Sequence, residues 1–244
     1  MKLKRSFIPN IFTIFNMFAG FLAILQILQG RYITAVMLIL AAMVFDTLDG
    51  KIARWLQQQS DFGIEFDSLA DLVSFCVTPT LLVYSLYVAD LGFLGALISF
   101  FPLLFGGVRL ARFNITATPY KKQYFTGLPV PAMACTIGSF VWFNKVVFGH
   151  YGNPKLALPL VMLLAFMMVS NIRFSSHFEL NFHRGVPGTV RSILMILAMI
   201  LVILLRGYAI FPLMLIFIIT HLLVWIGGYE TPRSYFSVRR KDKP

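Results

Sequence analysis

The chain has 244 residues, of which 58% are hydrophobic, with a mean hydropathy of +0.79 and a net charge of +11. Soluble domains contain about 45–50% apolar residues. The excess here lies in long apolar runs, which exclude an ordinary soluble domain and predict an all-α, polytopic membrane bundle. Basic residues at the ends of these runs are explained by membrane topology and anionic lipid headgroups. We therefore expect membrane lipids, and not nucleic acid, as partners.

Eight apolar runs have lengths suited to crossing a bilayer, for which about 20 residues are enough. In chain order they cover residues 8–28, 33–56, 65–88, 91–113, 127–148, 155–171, 189–206 and 208–227. The sixth run is short, and the polar stretch 173–188 after it can also hold a surface helix. No stretch is polar enough for a soluble domain, so we predict a single membrane domain over residues 1–244. The first run is interpreted as an uncleaved span, because no small-residue cleavage pattern follows it.

The basic residues predict the orientation of these spans. If the N-terminus is cytoplasmic, 17 of the 21 Lys and Arg residues fall on the cytoplasmic side. The opposite side then holds only Arg31, Lys145, Lys155 and Arg206. This bias follows the positive-inside rule. It predicts an even number of spans in the cytoplasmic membrane, with both termini in the cytoplasm. The two cysteines lie inside apolar runs, so we expect no disulfide framework.

The acidic residues are concentrated in one part of the chain. Six of the ten fall within 26 positions: Asp46, Asp49, Asp61, Glu65, Asp67 and Asp71. Asp46 follows the apolar run 35–45 with no loop signal between them. A carboxylate at membrane depth is costly, and it indicates a functional site by default.

The spacing of four of these carboxylates predicts that they meet. Asp46 and Asp49 lie three positions apart and Asp67 and Asp71 four apart, so each pair shares one helix face. The polar segment 57–63 between the pairs suits a turn. Four anions in one place repel each other unless a cation lies among them. Hard oxygen ligands favour Mg²⁺ or Mn²⁺, and Ca²⁺ also fits.

Small residues accompany the first carboxylate pair on the same helix face. Gly50 and Ala53 leave room for a bulky ligand to approach the helix. The alternative is close packing against another membrane helix, which also favours small residues. The spacing alone does not decide between the two, but beside four carboxylates we favour ligand binding.

The same residues form a longer motif. The pattern D-x2-D-G-x2-A-R-x8-G-x3-D-x3-D runs through Asp46, Asp49, Gly50, Ala53, Arg54, Gly63, Asp67 and Asp71. It resembles the signature of the CDP-alcohol phosphotransferases at every position. The resemblance implies a homodimeric helical membrane enzyme in which an alcohol displaces CMP from a CDP-linked donor. It also implies a family core over residues 1–171, with residues 172–244 forming additional helices and a basic tail.

The resemblance assigns roles to individual residues. It implies that Asp46 and Asp67 bridge two metal ions, that Asp49 completes one ion site, and that Asp71 completes the other and acts as general base. The residues implied to bind CDP-diacylglycerol are Asn10, Asp49, Gly50, Ala53, Arg54, Ser60 and Gly63. For Ser60 the alternative is a helix cap, and for the Pro9-Asn10 pair it is a simple helix start.

Three further stretches, residues 61–75, 107–114 and 125–129, resemble the phosphatidylserine synthase branch of this family. They imply CDP-diacylglycerol and L-serine as substrates. No residue is obviously placed to act as a covalent nucleophile, so we predict direct displacement of CMP. Arg109 and Arg112 are candidates for binding the serine carboxylate or a phosphate. The alternative is that their side chains extend to lipid headgroups.

A sister enzyme that uses glycerol 3-phosphate or inositol remains an alternative function. So does an ion-coupled transporter, although its acidic residues would be spread along a pathway.

Overall fold

The computed structural model of the chain describes residues 7–56, 60–116, 124–175 and 208–227. These residues form a bundle of helices and one short pair of strands. The α-helices are α1 Phe7–Leu28, α2 Tyr32–Trp55, α3 Asp61–Asp71, α4 Thr78–Val83, α5 Gly92–Thr116, α6 Val130–Phe148, α7 Pro154–Val169 and α8 Ile210–Ile226. The strands are β1 Tyr124–Thr126 and β2 Arg173–Ser175. The predicted helical bundle is confirmed for the described residues, and the two short strands are the exception to the all-α prediction.

Helices α3 to α5 form one helical hairpin. Two π-helical turns, Leu72–Val77 and Tyr84–Val88, connect α3 to α4 and extend α4. Pro79 has no N–H to donate, which accounts for a widened turn immediately before it. At Gly92 the backbone takes a φ of +55°, which favours glycine. The chain then reverses, so that Gly106 of α5 lies directly against Cys76.

Four helical stretches are long and apolar enough to cross a membrane: Asn10–Leu28, Tyr32–Ile52, Asp61–Ile115 and Val130–Phe148. The third covers 55 residues and includes the hairpin, which corresponds to the two predicted spans 65–88 and 91–113. Helices α7 and α8 are apolar but shorter. The predicted span 189–206 lies outside the described residues, so the number of eight spans stays a prediction.

Helix α1 packs between α2 and the α3–α4 arm of the hairpin. It runs antiparallel to α2, where the rings of Phe15 and Phe45 lie 5.6 Å apart. It runs parallel to the hairpin arm at a very close approach, since a Cβ added to Gly20 would lie 2.7 Å from the Cα atom of Ser74. The Ser74 hydroxyl donates to the carbonyl of Asn16 (2.9 Å). Helix α1 thus holds α2 and α3 together, and these two helices carry the carboxylates.

The pair of strands was not predicted. Strands β1 and β2 pair antiparallel, with Phe125 opposite Phe174. Next to β1, Gly127 has a φ of +80°, and its N–H donates to the carbonyl of Ile172 (2.8 Å). The buried ring of Phe174 stacks on His221 of α8, with 5.2 Å between the ring centroids. The ladder therefore joins the end of α7 and helix α8 to the segment before α6.

Candidate metal centre

Three of the predicted carboxylates converge between α2 and α3. One oxygen atom from each of Asp46, Asp49 and Asp67 lies within 4.8 Å of the other two. The Asp49 side chain is buried, and those of Asp46 and Asp67 are half-buried. Three anions at this separation, partly withdrawn from water, are unfavourable without a positive charge among them. The geometry is that of a site able to hold a cation.

The ligand atoms fit a hard divalent ion. All three groups offer carboxylate oxygen, the ligand type that Mg²⁺, Mn²⁺ and Ca²⁺ prefer. The Oδ1 atom of Asp67 is buried and has no hydrogen-bond partner among the described residues. A buried acceptor without a partner is costly, and a bound cation would satisfy it. The cluster can therefore hold a divalent metal ion.

Asp71 lies one helical turn beyond Asp67, just before the first π-helical turn. Its side chain is buried, and its Oδ1 accepts a hydrogen bond from the Asn16 side chain (3.2 Å). It is not part of the group of three oxygens within 4.8 Å, although it is close enough to interact electrostatically with Asp46 and Asp67. The structure thus places the fourth carboxylate beside the cluster, with a separate hydrogen-bond partner.

Two side chains of α1 that contact the carboxylates were not predicted. Thr13 donates from its hydroxyl to Oδ2 of Asp49 (2.9 Å), and Asn16 donates to Asp71. The sequence does contain a signal for them. Asn10, Thr13, Asn16 and Gly20 fall on one face of an otherwise apolar helix, at spacings of three, three and four residues. This face of α1 lies against the carboxylates.

Three of the residues predicted to bind the lipid substrate lie close together at the start of α3. The Ser60 hydroxyl accepts a hydrogen bond from the Gly63 N–H (3.0 Å), which makes Ser60 the N-cap of the helix. A Cβ added to Gly63 would lie 3.1 Å from the Ser60 Oγ and 3.5 Å from the Asn10 Oδ1. A side chain at position 63 would thus crowd the capping hydroxyl of Ser60, while its distance to Asn10 would be an ordinary van der Waals contact.

The other predicted contacts of the lipid substrate lie on α2. Gly50 directly follows Asp49 and is half-buried. Ala53 and Arg54 belong to the last turn of α2, but their side chains lie outside the described part of the structure. The choice between ligand binding and helix packing for Gly50 and Ala53 therefore stays open.

The two predicted arginines have different surroundings. Arg109 is buried, interacts electrostatically with Asp71, and has an Nε atom without a hydrogen-bond partner in the described ranges. Arg112 donates to two backbone carbonyls, those of Thr126 (3.0 Å) and Val169 (3.3 Å). Arg109 is thus brought beside Asp71, and Arg112 joins α5 to the ends of β1 and α7.

Comparison with known sequences identifies the family. The family model described as CDP-alcohol phosphatidyltransferase matches residues 6–170, which is more than half of the chain. The chain belongs to the CDP-alcohol phosphatidyltransferase family. The family match contains all four carboxylates and all of helices α1 to α7.

Curated relatives of this CDP-alcohol phosphatidyltransferase come from bacteria and archaea. A CDP-diacylglycerol–serine O-phosphatidyltransferase of Helicobacter pylori is 39% identical over 167 residues, covering 68% of this chain and 70% of the relative. The enzyme of the same name from Bacillus subtilis is 38% identical over 174 residues, covering 71% and 92%. An archaetidylserine synthase of Methanothermobacter thermautotrophicus is 35% identical over 169 residues, covering 68% and 69%.

The two interpretations of Ser60 in this phosphatidyltransferase make different predictions. Replacing Ser60 by Ala removes the cap of α3 and is expected to lower the free energy of unfolding by about 1 kcal/mol. Ser60→Asn restores a capping side chain and should recover that stability, as measured by thermal unfolding in detergent. If the hydroxyl also binds the CDP-linked lipid, both variants will have a raised KM for it. An unchanged KM in both would leave capping as the sole role.

Proposed function

We propose that this phosphatidyltransferase transfers the phosphatidyl group of CDP-diacylglycerol to the hydroxyl of L-serine, releasing CMP and phosphatidylserine. The family match supports the type of reaction. The choice of serine is carried by the curated relatives, whose names specify serine or archaetidylserine at 35–39% identity. The stretches 61–75, 107–114 and 125–129 resemble the serine-specific branch and support the same choice.

The carboxylates are suited to hold the cations that this reaction needs. Asp46, Asp49 and Asp67, together with Asp71, would hold divalent ions, and we propose two ions per subunit. When bound, such ions supply positive charge that polarises the diphosphate and stabilises the departing phosphate of CMP. The negative oxygens of α2 and α3 would otherwise repel the diphosphate, so binding of the lipid substrate depends on occupation of the cluster.

Asp71 is suited to receive the proton of the serine hydroxyl. In the proposed step, the serine oxygen forms a bond to the lipid-side phosphorus and the bond from that phosphorus to the CMP oxygen breaks. The proton passes to Asp71, which Asn16 holds in place. Arg109 lies beside Asp71 and would bind the serine carboxylate or a phosphate of the lipid substrate. We propose direct displacement, which predicts that no phosphatidyl-enzyme intermediate accumulates.

The position of the site along α2 suits a lipid substrate. Asp46 lies eight residues before Arg54, a distance of about 12 Å along a helix. We propose that the end of α2 lies at the cytoplasmic surface of the cell membrane, with both termini on the same side. The acyl chains then remain in the bilayer, while serine enters from water. We also propose a homodimer, and a division of the chain into a catalytic core up to residue 171 and a C-terminal addition.

The function is tested by release of CMP from CDP-diacylglycerol by the purified protein with one alcohol at a time. We expect serine to support CMP release and to be incorporated into phosphatidylserine, whereas glycerol 3-phosphate and inositol should support little. Preferential turnover of either of those alcohols would identify a sister enzyme instead. Ion flux in vesicles without CDP-diacylglycerol, together with no CMP release, would indicate the transporter alternative.

A further inference from the structure

Asn16 is the side chain of α1 that reaches the proposed base. It is fully buried, and its Nδ2 donates to the Oδ1 of Asp71 (3.2 Å). Its backbone carbonyl accepts from the Ser74 hydroxyl (2.9 Å). Because both its backbone and its side chain are bonded to the segment that carries Asp71, the position of Asn16 relative to Asp71 is well defined.

The other half of the Asn16 amide has no partner. Its Oδ1 is buried and forms no hydrogen bond with the described residues. An ionised carboxylate only accepts hydrogen bonds, so the NH2 group of Asn16 must face Asp71 and the carbonyl oxygen must point elsewhere. A buried acceptor without a partner is unfavourable. The arrangement therefore leaves an acceptor of fixed position, without a partner among the described residues, beside the proposed base.

We propose that the Oδ1 of Asn16 accepts a hydrogen bond from the α-ammonium group of the acceptor amino acid. This inference rests on the proposed function, because it takes serine as the acceptor. In serine the ammonium and hydroxyl groups are on adjacent carbons, and Asn16 and Asp71 are likewise adjacent in the site. The hydroxyl faces Asp71, and the ammonium, which can only donate, faces the unpaired oxygen of Asn16.

This role makes Asn16 a specificity-determining residue as well as a positioning residue. Glycerol 3-phosphate and inositol have no amino group and could offer the Asn16 oxygen only a neutral hydroxyl donor, whereas serine offers a charged one, and a hydrogen bond from a charged donor is stronger. A site built to form a hydrogen bond with one substrate discriminates strongly against an analogue that lacks the bonding group. The amide would thus favour an amino alcohol over the alcohols used by sister enzymes.

The test removes the amide of Asn16 from the protein and the ammonium group from the substrate, separately and together. Serine is compared with 3-hydroxypropionate, which has the hydroxyl and the carboxylate but no ammonium, in the wild type and in Asn16→Leu. We measure kcat/KM from CMP release, or Ki against serine where turnover is slow. The ratio of kcat/KM for serine to kcat/KM for 3-hydroxypropionate should be at least roughly 10-fold larger in the wild type than in Asn16→Leu. This is the effect expected for a hydrogen bond to a charged group. A general loss from misplacing Asp71 affects both substrates equally and cancels in this comparison.

A binding measurement gives a second readout. Serine should raise the thermal unfolding temperature of the wild type in the presence of CDP-diacylglycerol, and this rise should disappear in Asn16→Leu while the rise due to the lipid alone remains. Asn144→Leu is the matched control, because Asn144 is also buried but its side chain donates to the Phe140 carbonyl within α6 (2.8 Å) and not to a predicted site residue. Asn16→Ala replaces the leucine variant if the latter does not fold.

The outcomes separate this inference from the proposed function. If the wild type uses serine but the Asn16 variants discriminate between the two acceptors as strongly as the wild type, the assignment of the ammonium to Asn16 is wrong and the function stands. If the wild type does not use serine, the function itself is wrong. Loss of discrimination in the Asn16 variants, with the control variant unchanged, supports the assignment.

Discussion

Asp71→Asn is expected to reduce turnover by roughly 10²–10⁴-fold, the contribution usual for a general base. The replacement has nearly the same shape, and the amide oxygen of the new residue can still accept the hydrogen bond from Asn16, so we expect the fold to be kept. Binding of CDP-diacylglycerol should persist, because Asp46, Asp49 and Asp67 are unchanged in this variant and can still hold a cation. CMP release measures turnover, and the lipid-induced rise in unfolding temperature measures binding.

Asp90→Asn is the control for this experiment. Asp90 is exposed at the reversal between the two arms of the hairpin, so the same chemical change there should leave turnover unchanged. Full activity of Asp71→Asn would show that another group takes the proton. Loss of lipid binding together with turnover would instead place Asp71 mainly among the ligands of the cation.

The second large effect is expected for Asp67→Asn. The Oδ1 of Asp67 is a buried carboxylate oxygen without a hydrogen-bond partner among the described residues, so this change should weaken divalent-ion binding more directly than any change at Asp71. Since a metal ion supplies several kcal/mol of charge stabilisation in such reactions, turnover at low metal concentration should decrease by about 10³-fold. The measurements are CMP release over a series of Mg²⁺ and Mn²⁺ concentrations and the metal-induced change in unfolding temperature without substrate.

Glu65→Gln provides the comparison on the same helix. Glu65 is exposed, and its carboxylate accepts from the Asn114 side chain on α5 (3.0 Å), away from the carboxylate cluster. The Glu65→Gln variant should depend on Mg²⁺ and Mn²⁺ concentration in the same way as the wild type. Partial recovery of turnover by Asp67→Asn at high metal concentration would show that the change weakens binding of the divalent ion. An unchanged metal response in Asp67→Asn would rule out the proposed ligand set.

The helices were largely predictable because hydrophobic runs determine them. The predicted first and second spans, residues 8–28 and 33–56, agree with α1 and α2 to within one residue at each end. The convergence of α2 and α3 was also predictable, since helical spacing fixes the face on which each carboxylate lies. The proposed roles of the site residues depend on the family motif and stay predictions.

Other features depend on tertiary contacts that spacing does not determine. The sequence pattern did not separate Asp71 from the other three carboxylates, because the distances between side chains on two helices depend on how those helices pack. Thr13 and Asn16 were overlooked because a few polar residues in an apolar helix are not in themselves unusual. Nor did the pattern predict that Arg112 bonds backbone carbonyls, since its partners are 14 and 57 residues away.

The short strand ladder has a consequence for where the catalytic unit ends. The match to the family model ends at residue 170, but β2 begins at Arg173, and its central residue, Phe174, is fully buried. A chain cut at residue 170 would leave β1 without its partner strand and would expose the apolar surface that Phe174 covers. A fragment meant to keep this fold must therefore extend at least to residue 175, a few residues past the end of the family match.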